Sequence, residues 1–305
     1  MADDIQWRDP EIAQVRALLA SLRPPTETKP TWAERRAGLD AFGAMAPLPD
    51  GTLVIPVDID GMAAEGLVPP GSDESRQILY LHGGGYCAGS PTSHRPTAAR
   101  IAAEAGCPIL VIDYRLGPES PFPAAVDDAV KAWKHLLDAG IDPARMVIAG
   151  DSAGGGLTLA TALALRDAGL PQPAGLFCIS PWADLRQLGA AYEKVAHLDP
   201  MLSVEGLNDF ARAYLNGADA AHPHASPALG DYSGIAPILI QVSGAEVLLS
   251  DSLAVAHAAG LAGVEVKLEI WPEMLHVWHA FHGQLGAARR AITGAAAWIR
   301  EKTGA

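Results

Sequence analysis

A chain of 305 residues with 49% hydrophobic and 19% charged residues can bury a substantial core, which excludes disorder and suits one large α/β domain with a small accessory part. Its 22 Lys and Arg against 35 Asp and Glu give a formal net charge of −13 with no basic cluster, so no nucleic-acid partner is expected and anionic membranes are disfavoured. No apolar run approaches the ~20 residues of a membrane-spanning helix.

Residues 1–45 read as a separate, mostly helical part. The opening, with Asp3, Asp4 and Arg8, lacks the pattern of a signal peptide, and a cytoplasmic location is expected. From Glu11 to Leu22, apolar residues at Ile12, Val15, Leu18, Leu19 and Leu22 have the spacing of one helix face, which Pro24 and Pro25 then stop. Thr31 with Glu34 three residues on is a capping-box pattern that predicts a second short helix. Thr52 to Ile59 is rich in β-branched residues without helical period and predicts a strand.

Beyond Arg76 short apolar runs alternate with helical stretches. The runs are Ile78–Leu81, Pro108–Ile112, Met146–Ala149, Leu176–Ile179, Pro237–Val242 and Val264–Ile270. Helices are predicted near 93–105, 124–138, 153–168, 251–262 and 284–300. A sheet buried on both faces produces this alternation, so the expected fold class is α/β, a mostly parallel sheet with helices on both sides. Residues 185–228 break the pattern: they hold no strong core strand but a helix-like piece from Val204 to Leu215, and read as an insertion over the site. The core is then 46–184 and 229–305.

Gly150-Asp151-Ser152-Ala153-Gly154 reads G-x-S-x-G, a weak signal alone but a specific one between a strand and a helix. There a serine is held in a strained turn with its hydroxyl exposed, and the helix N-terminus directs free N–H groups at the same spot. His82-Gly83-Gly84-Gly85 follows the Ile78–Leu81 strand, where backbone N–H groups would stabilise an oxyanion. The expected donors are Gly83, Gly84 and Ala153, with His82 structural.

A serine hydroxyl needs a base, and the base needs an acid, in the order serine, acid, histidine. His276 lies in the loop after the last strand and is the candidate base. His279 and His282, at three-residue steps, are placed on the following helix. The three histidines have no carboxylate or cysteine at ligand spacing, so no metal is expected. Glu246 stands nearest the end of the Pro237–Val242 strand and is the favoured acid; Asp251 competes, although with Ser250 it reads as the cap of the next helix. Cys87, Cys107 and Cys178 lack paired spacing and read as free thiols in a reducing compartment.

From about residue 45 onward these motifs resemble the hormone-sensitive-lipase family of α/β-hydrolases, in its bacterial esterase branch. The resemblance rests on His82–Tyr86, Asp113–Glu119, Gly150–Gly155, Ser180–Leu185 and Ser226-Pro227. It implies an α/β-hydrolase fold whose N-terminal helices and late insertion form a cap. Gly117 stands where that family usually has alanine, and Glu246 where it usually has aspartate. A glutamate branch includes enzymes acting on lactones and terpenoid esters.

The expected function is hydrolysis of short- to medium-chain carboxylic esters, with lactones admissible, through an acyl-enzyme on Ser152 and without a cofactor. Tyr86, Trp182, Phe210 and Tyr214 are candidate pocket residues, with ordinary packing as the alternative for each. An amidase or acyltransferase would use the same triad. A non-catalytic ligand receptor on this scaffold would typically lack the base, which His276 supplies. The expected partner is a small-molecule ester, and the resemblance implies a homodimer through the last strand and helix.

Overall fold

The computed structural model describes residues 7–21 and 29–305; Leu22, Pro24 and Pro25, expected at the end of the first helix, lie outside them. The helix itself, α1, spans Pro10–Ser21, and α2 spans Trp32–Gly43. The capping box at the start of α2 is formed: Glu34 N–H donates to Thr31 Oγ1 (3.3 Å) and Thr31 N–H donates to Glu34 Oε2 (2.8 Å).

The first strand, β1 (Leu53–Ile59), pairs antiparallel with β2 (Met62–Val68). β2 is absent from the sequence reading. The Asp60-Gly61 turn between the two has positive φ at both residues (48° and 84°), the geometry that such a dipeptide favours in a two-residue hairpin. Then β3 (Gln77–Leu81), α3 (Pro91–Ala105), β4 (Ile109–Ile112), α4 (Ala124–Asp138), β5 (Met146–Asp151), α5 (Ala153–Asp167) and β6 (Gly175–Ile179) alternate. The inserted segment carries the short α6 (Ala191–Lys194) and α7 (Val204–Leu215), before β7 (Ile238–Ser243), α8 (Leu249–Leu261), β8 (Val266–Trp271) and α9 (Gly286–Thr303).

The eight strands form one sheet in the order β1-β2-β4-β3-β5-β6-β7-β8, parallel from β4 onward. Every residue of β3 through β7 is buried, as continuous apolar runs require when both faces are covered. Alternate residues point to opposite sides. Ile78, Tyr80, Val147 and Ala149 pack with α3 and α9, whereas Leu79, Leu81, Met146 and Ile148 pack with α4 and α5. The parallel strands therefore end together at one edge, and the loops after β3, β5, β7 and β8 meet there.

Candidate active site

Ser152 occupies the turn from β5 into α5 with φ 54° and ψ −121°, a conformation that costs roughly 1–3 kcal/mol for a residue with a Cβ. Three backbone hydrogen bonds hold it. Ser152 N–H donates to Ile179 O (2.8 Å), and Ser152 O accepts from Trp182 N–H (2.9 Å) and Gly156 N–H (3.0 Å). The turn also needs close contact between α5 and β3: a Cβ at Gly154 would lie 1.9 Å from Leu81 O.

His276, in the loop after β8, accepts from the Ser152 hydroxyl at Nε2 (2.9 Å) and donates from Nδ1 to Glu246 Oε2 (2.7 Å). An ionised carboxylate only accepts, which fixes the proton on Nδ1 and leaves Nε2 free to take one. Glu246 Oε1 accepts from Ser243 N–H (2.8 Å), so both carboxylate oxygens are used. Burial disfavours charge on His276, but the hydrogen bond and charge of Glu246 outweigh it and raise the imidazole above its ordinary value.

Asp251 is elsewhere. Its Oδ2 accepts from the N–H groups of Ala183 and Asp184 (both 2.9 Å), and Oδ1 accepts from the Tyr192 hydroxyl (2.8 Å). Nor do Ser250 and Asp251 cap α8, which begins at Leu249 and has no side-chain cap. Burial outweighs these three donors and pushes Asp251 up to about 7.

The glycine loop after β3 corrects one expectation. Gly83 N–H points inward, to Asp151 Oδ1 (3.1 Å) and toward His94 Nε2 (3.2 Å), and is not free to meet a substrate. The N–H groups of Gly84, Gly85 and Ala153 have no acceptor among the described residues, and Gly84 and Gly85 line the cavity with Ser152. Gly85 is not among the donors expected from sequence. Its neighbours in H-G-G-G are alike, and only the inward anchor tells them apart. Both loop glycines have positive φ (118° and 64°), which lets the backbone turn its N–H groups outward.

That anchor is a buried network. Asp151 Oδ1 also accepts from the Tyr80 hydroxyl (2.8 Å), and Oδ2 lies 3.3 Å from His94 Nε2. The Ser93 hydroxyl donates to Ser90 O, so it can only accept from His94 Nδ1 (2.8 Å). His94 is thereby held between the Ser93 hydroxyl and the Asp151 carboxylate. Burial opposes both charges, yet their attraction lifts His94 and lowers Asp151. His82, stacked on Tyr114 at 4.2 Å and fully buried, is pushed down to about 3 by burial and stays neutral.

Above the serine lies a mainly apolar cavity of about 300 Å³. Of the four candidate pocket residues, Trp182 and Phe210 line this cavity, whereas Tyr86 and Tyr214 do not. Those two stack face to face at 4.0 Å and are fully buried, their rings spent on packing behind the wall. The sequence reading missed much of the lining: Leu18 and Leu19 of α1, Leu39 and Phe42 of α2, and Met201 and Leu202 before α7. The apolar face of α1 was legible but is divided in use. Ile12 and Val15 pack on Leu275 and Trp278, while Leu18 and Leu19 reach the cavity.

His279 and His282 are not on α9; they lie on and just after a short 3-10 turn, Trp278–Phe281. His279 is buried against Gln241 (2.7 Å) and pushed down to about 3 by burial. Cys87, Cys107 and Cys178 are free and buried. No helix among the described residues is long and apolar enough to cross a membrane.

The family profile described as the alpha/beta hydrolase fold matches residues 78–280. An acetyl-hydrolase of Streptomyces hygroscopicus is 46% identical over 265 residues, 87% of each chain. A solved esterase from the bacterial hormone-sensitive lipase family superposes with TM-score 0.94 at 38% identity, covering 98% of this chain and all of that one. The esterase EstE5, solved after soaking with p-nitrophenyl butyrate, gives TM-score 0.93 at 43% identity over 97% of this chain and all of its own. With a parallel sheet, a serine elbow and these relatives, the chain belongs to the hormone-sensitive-lipase family of α/β-hydrolases and is a serine hydrolase of the carboxylesterase type.

Proposed function

We propose that the chain hydrolyses short- to medium-chain carboxylic esters through a Ser152–His276–Glu246 triad and an acyl-enzyme. The observation that carries this reading is the unbroken chain of hydrogen bonds at the cavity floor: Ser152 Oγ to His276 Nε2 at 2.9 Å and His276 Nδ1 to Glu246 Oε2 at 2.7 Å. Ser152 Oγ attacks the ester carbonyl as Nε2 takes its proton, and Glu246 stabilises the resulting imidazolium. The carbonyl oxygen becomes an oxyanion that accepts from the N–H groups of Gly84, Gly85 and Ala153. His276 then protonates the leaving alcohol, and a water activated by the same nitrogen releases the acid.

The apolar lining of a cavity of about 300 Å³ suits an uncharged acyl or alkoxy group of modest length. The names of the acetyl-hydrolase relative and of the p-nitrophenyl butyrate soak point to the same range. Residues 1–45 and 185–228 act together as a cap, a reading supported by α1, α2 and α7 side chains in one cavity wall. The last strand and helix, β8 at the sheet edge and α9, pair two copies into a homodimer, and the buried thiols fit a reducing cytoplasm.

A panel of p-nitrophenyl esters of graded acyl length, with lactones and anilides, tests the substrate. The highest kcat/KM is expected between acetyl and octanoyl esters. Faster anilide cleavage would make the enzyme an amidase, and product esters formed in added alcohol would make it an acyltransferase.

A further inference from the structure

Three parts of the chain meet beside the acid and base loops. Arg16 of α1 donates from Nη1 to Leu198 O (2.7 Å) and reaches Glu273 O and Met274 O from Nη2 (both 3.4 Å). One guanidinium thus spans the inserted segment and the loop that carries His276. Next to Leu198 stands Asp199, buried with 8% exposure. Its Oδ1 accepts from the N–H groups of Met201 and Leu202 (both 2.9 Å), and its Oδ2 accepts from Val247 N–H (3.1 Å). Met201 and Leu202 line the cavity roof; Val247 directly follows Glu246.

We propose that Asp199 is a positioning residue for the Glu246–His276 pair, tying the acid loop to the cavity roof so that roof placement and acid–base alignment are one arrangement. This rests on the triad reading above. A buried carboxylate that satisfies three backbone donors leaves them little freedom to move, since each donor lost would remain unpaired in the interior. The same carboxylate adds negative charge near the pair. The charged groups facing it are Arg16 from α1, Glu246 from the acid loop and His276 from the base loop; Glu273 acts on Arg16, and Asp151 of the elbow acts on His276. Among these only Arg16 opposes the anion, and Arg16 bonds to backbone rather than to the triad.

Asp199→Asn separates the two halves of the role. The amide oxygen keeps the pair of donors at Met201 and Leu202, which leaves the amide N–H₂ facing Val247 N–H, two donors in opposition. The roof stays held while the acid loop is released. On the purified full chain with p-nitrophenyl butyrate, kcat is expected to fall about tenfold or more, the order of loss that a small misplacement of catalytic groups produces, with KM little changed. The acidic limb of kcat/KM is expected to move to lower pH, because a removed anion no longer favours imidazolium at His276. A merely structural residue would lower the melting temperature without moving that limb.

Asp199→Glu keeps the charge and is expected to hold the limb near the parent position. Should Asp199→Asn fail to accumulate as folded protein, Asp199→Ser, which keeps one short acceptor and no charge, is read the same way. A kcat within threefold of the parent, or an unmoved acidic limb, overturns the proposal. Its failure is distinct from failure of the triad reading, which would show as esterolysis by the parent that survives Ser152→Ala.

Discussion

Glu246→Gln against Asp251→Asn separates the two acids that the sequence left in competition. In the structure Glu246 uses Oε1 on Ser243 N–H and Oε2 on His276 Nδ1. A glutamine can present oxygen to only one of them. If the oxygen stays on Ser243, the amide N–H₂ faces Nδ1, drives the imidazole proton to Nε2 and leaves no base against Ser152. If it turns to His276, two donors oppose each other at Ser243. The wrong tautomer in such a triad costs about ten-thousand-fold, or about 5 kcal/mol of transition-state stabilisation. Asp251→Asn keeps an oxygen on the Ala183 and Asp184 N–H groups, and the Tyr192 hydroxyl can rotate to accept from the new amide. Its kcat/KM is therefore expected within about threefold of the parent. The assay is steady-state hydrolysis of p-nitrophenyl butyrate, with melting curves to establish folding. A Glu246→Gln enzyme within tenfold of the parent, or an Asp251→Asn enzyme that collapses, refutes this reasoning.

Asp251 makes a further prediction through stability. Burial raises its folded value to about 7, so the fold gains from its protonated form at low pH and loses that gain as pH rises through about 7. Unfolding midpoints at about pH 5 and about pH 8 should differ less in Asp251→Asn than in the parent, and equal differences would contradict the assignment. Catalysis needs neutral His276, whose value lies above the ordinary 6.5, so kcat/KM should rise with pH with a midpoint above that value; a midpoint below it would be inconsistent. At Gly85 an added Cβ would lie 2.4 Å from Phe210 Cδ1, so Gly85→Ala should displace one oxyanion donor and lower kcat about 10²–10³-fold. Phe210→Ala in the same chain removes that clash and should recover part of the loss; no recovery would place the defect elsewhere.

Much of this site is legible from the sequence because its chemistry is tied to strand ends. Short apolar runs locate the strands, and Ser152, Glu246 and His276 each stand just past one. What escaped depends on direction rather than on residue type. Gly83 and Gly85 are indistinguishable in H-G-G-G until Asp151 and His94 are seen to claim the Gly83 N–H. Tyr86 and Tyr214 are as suitable for a pocket wall as Trp182, but they stack on each other and turn away. β2, Met-Ala-Ala-Glu-Gly-Leu-Val, has weak strand propensity, and its pairing with β1 and β4 overrides that preference. The Asp60-Gly61 turn was its one local signal. Leu18 and Leu19 read only as part of an apolar helix face, because periodicity records the face and not what it meets.

The central claim is that Ser152 forms the covalent intermediate. Titration with a p-nitrophenyl organophosphate ester, followed by mass mapping of the labelled peptide, tests it most directly. One phosphoryl group per chain on Ser152, with esterase activity falling in proportion, is the expected result. Label on another residue at full inactivation, or full activity with Ser152 modified, would contradict it.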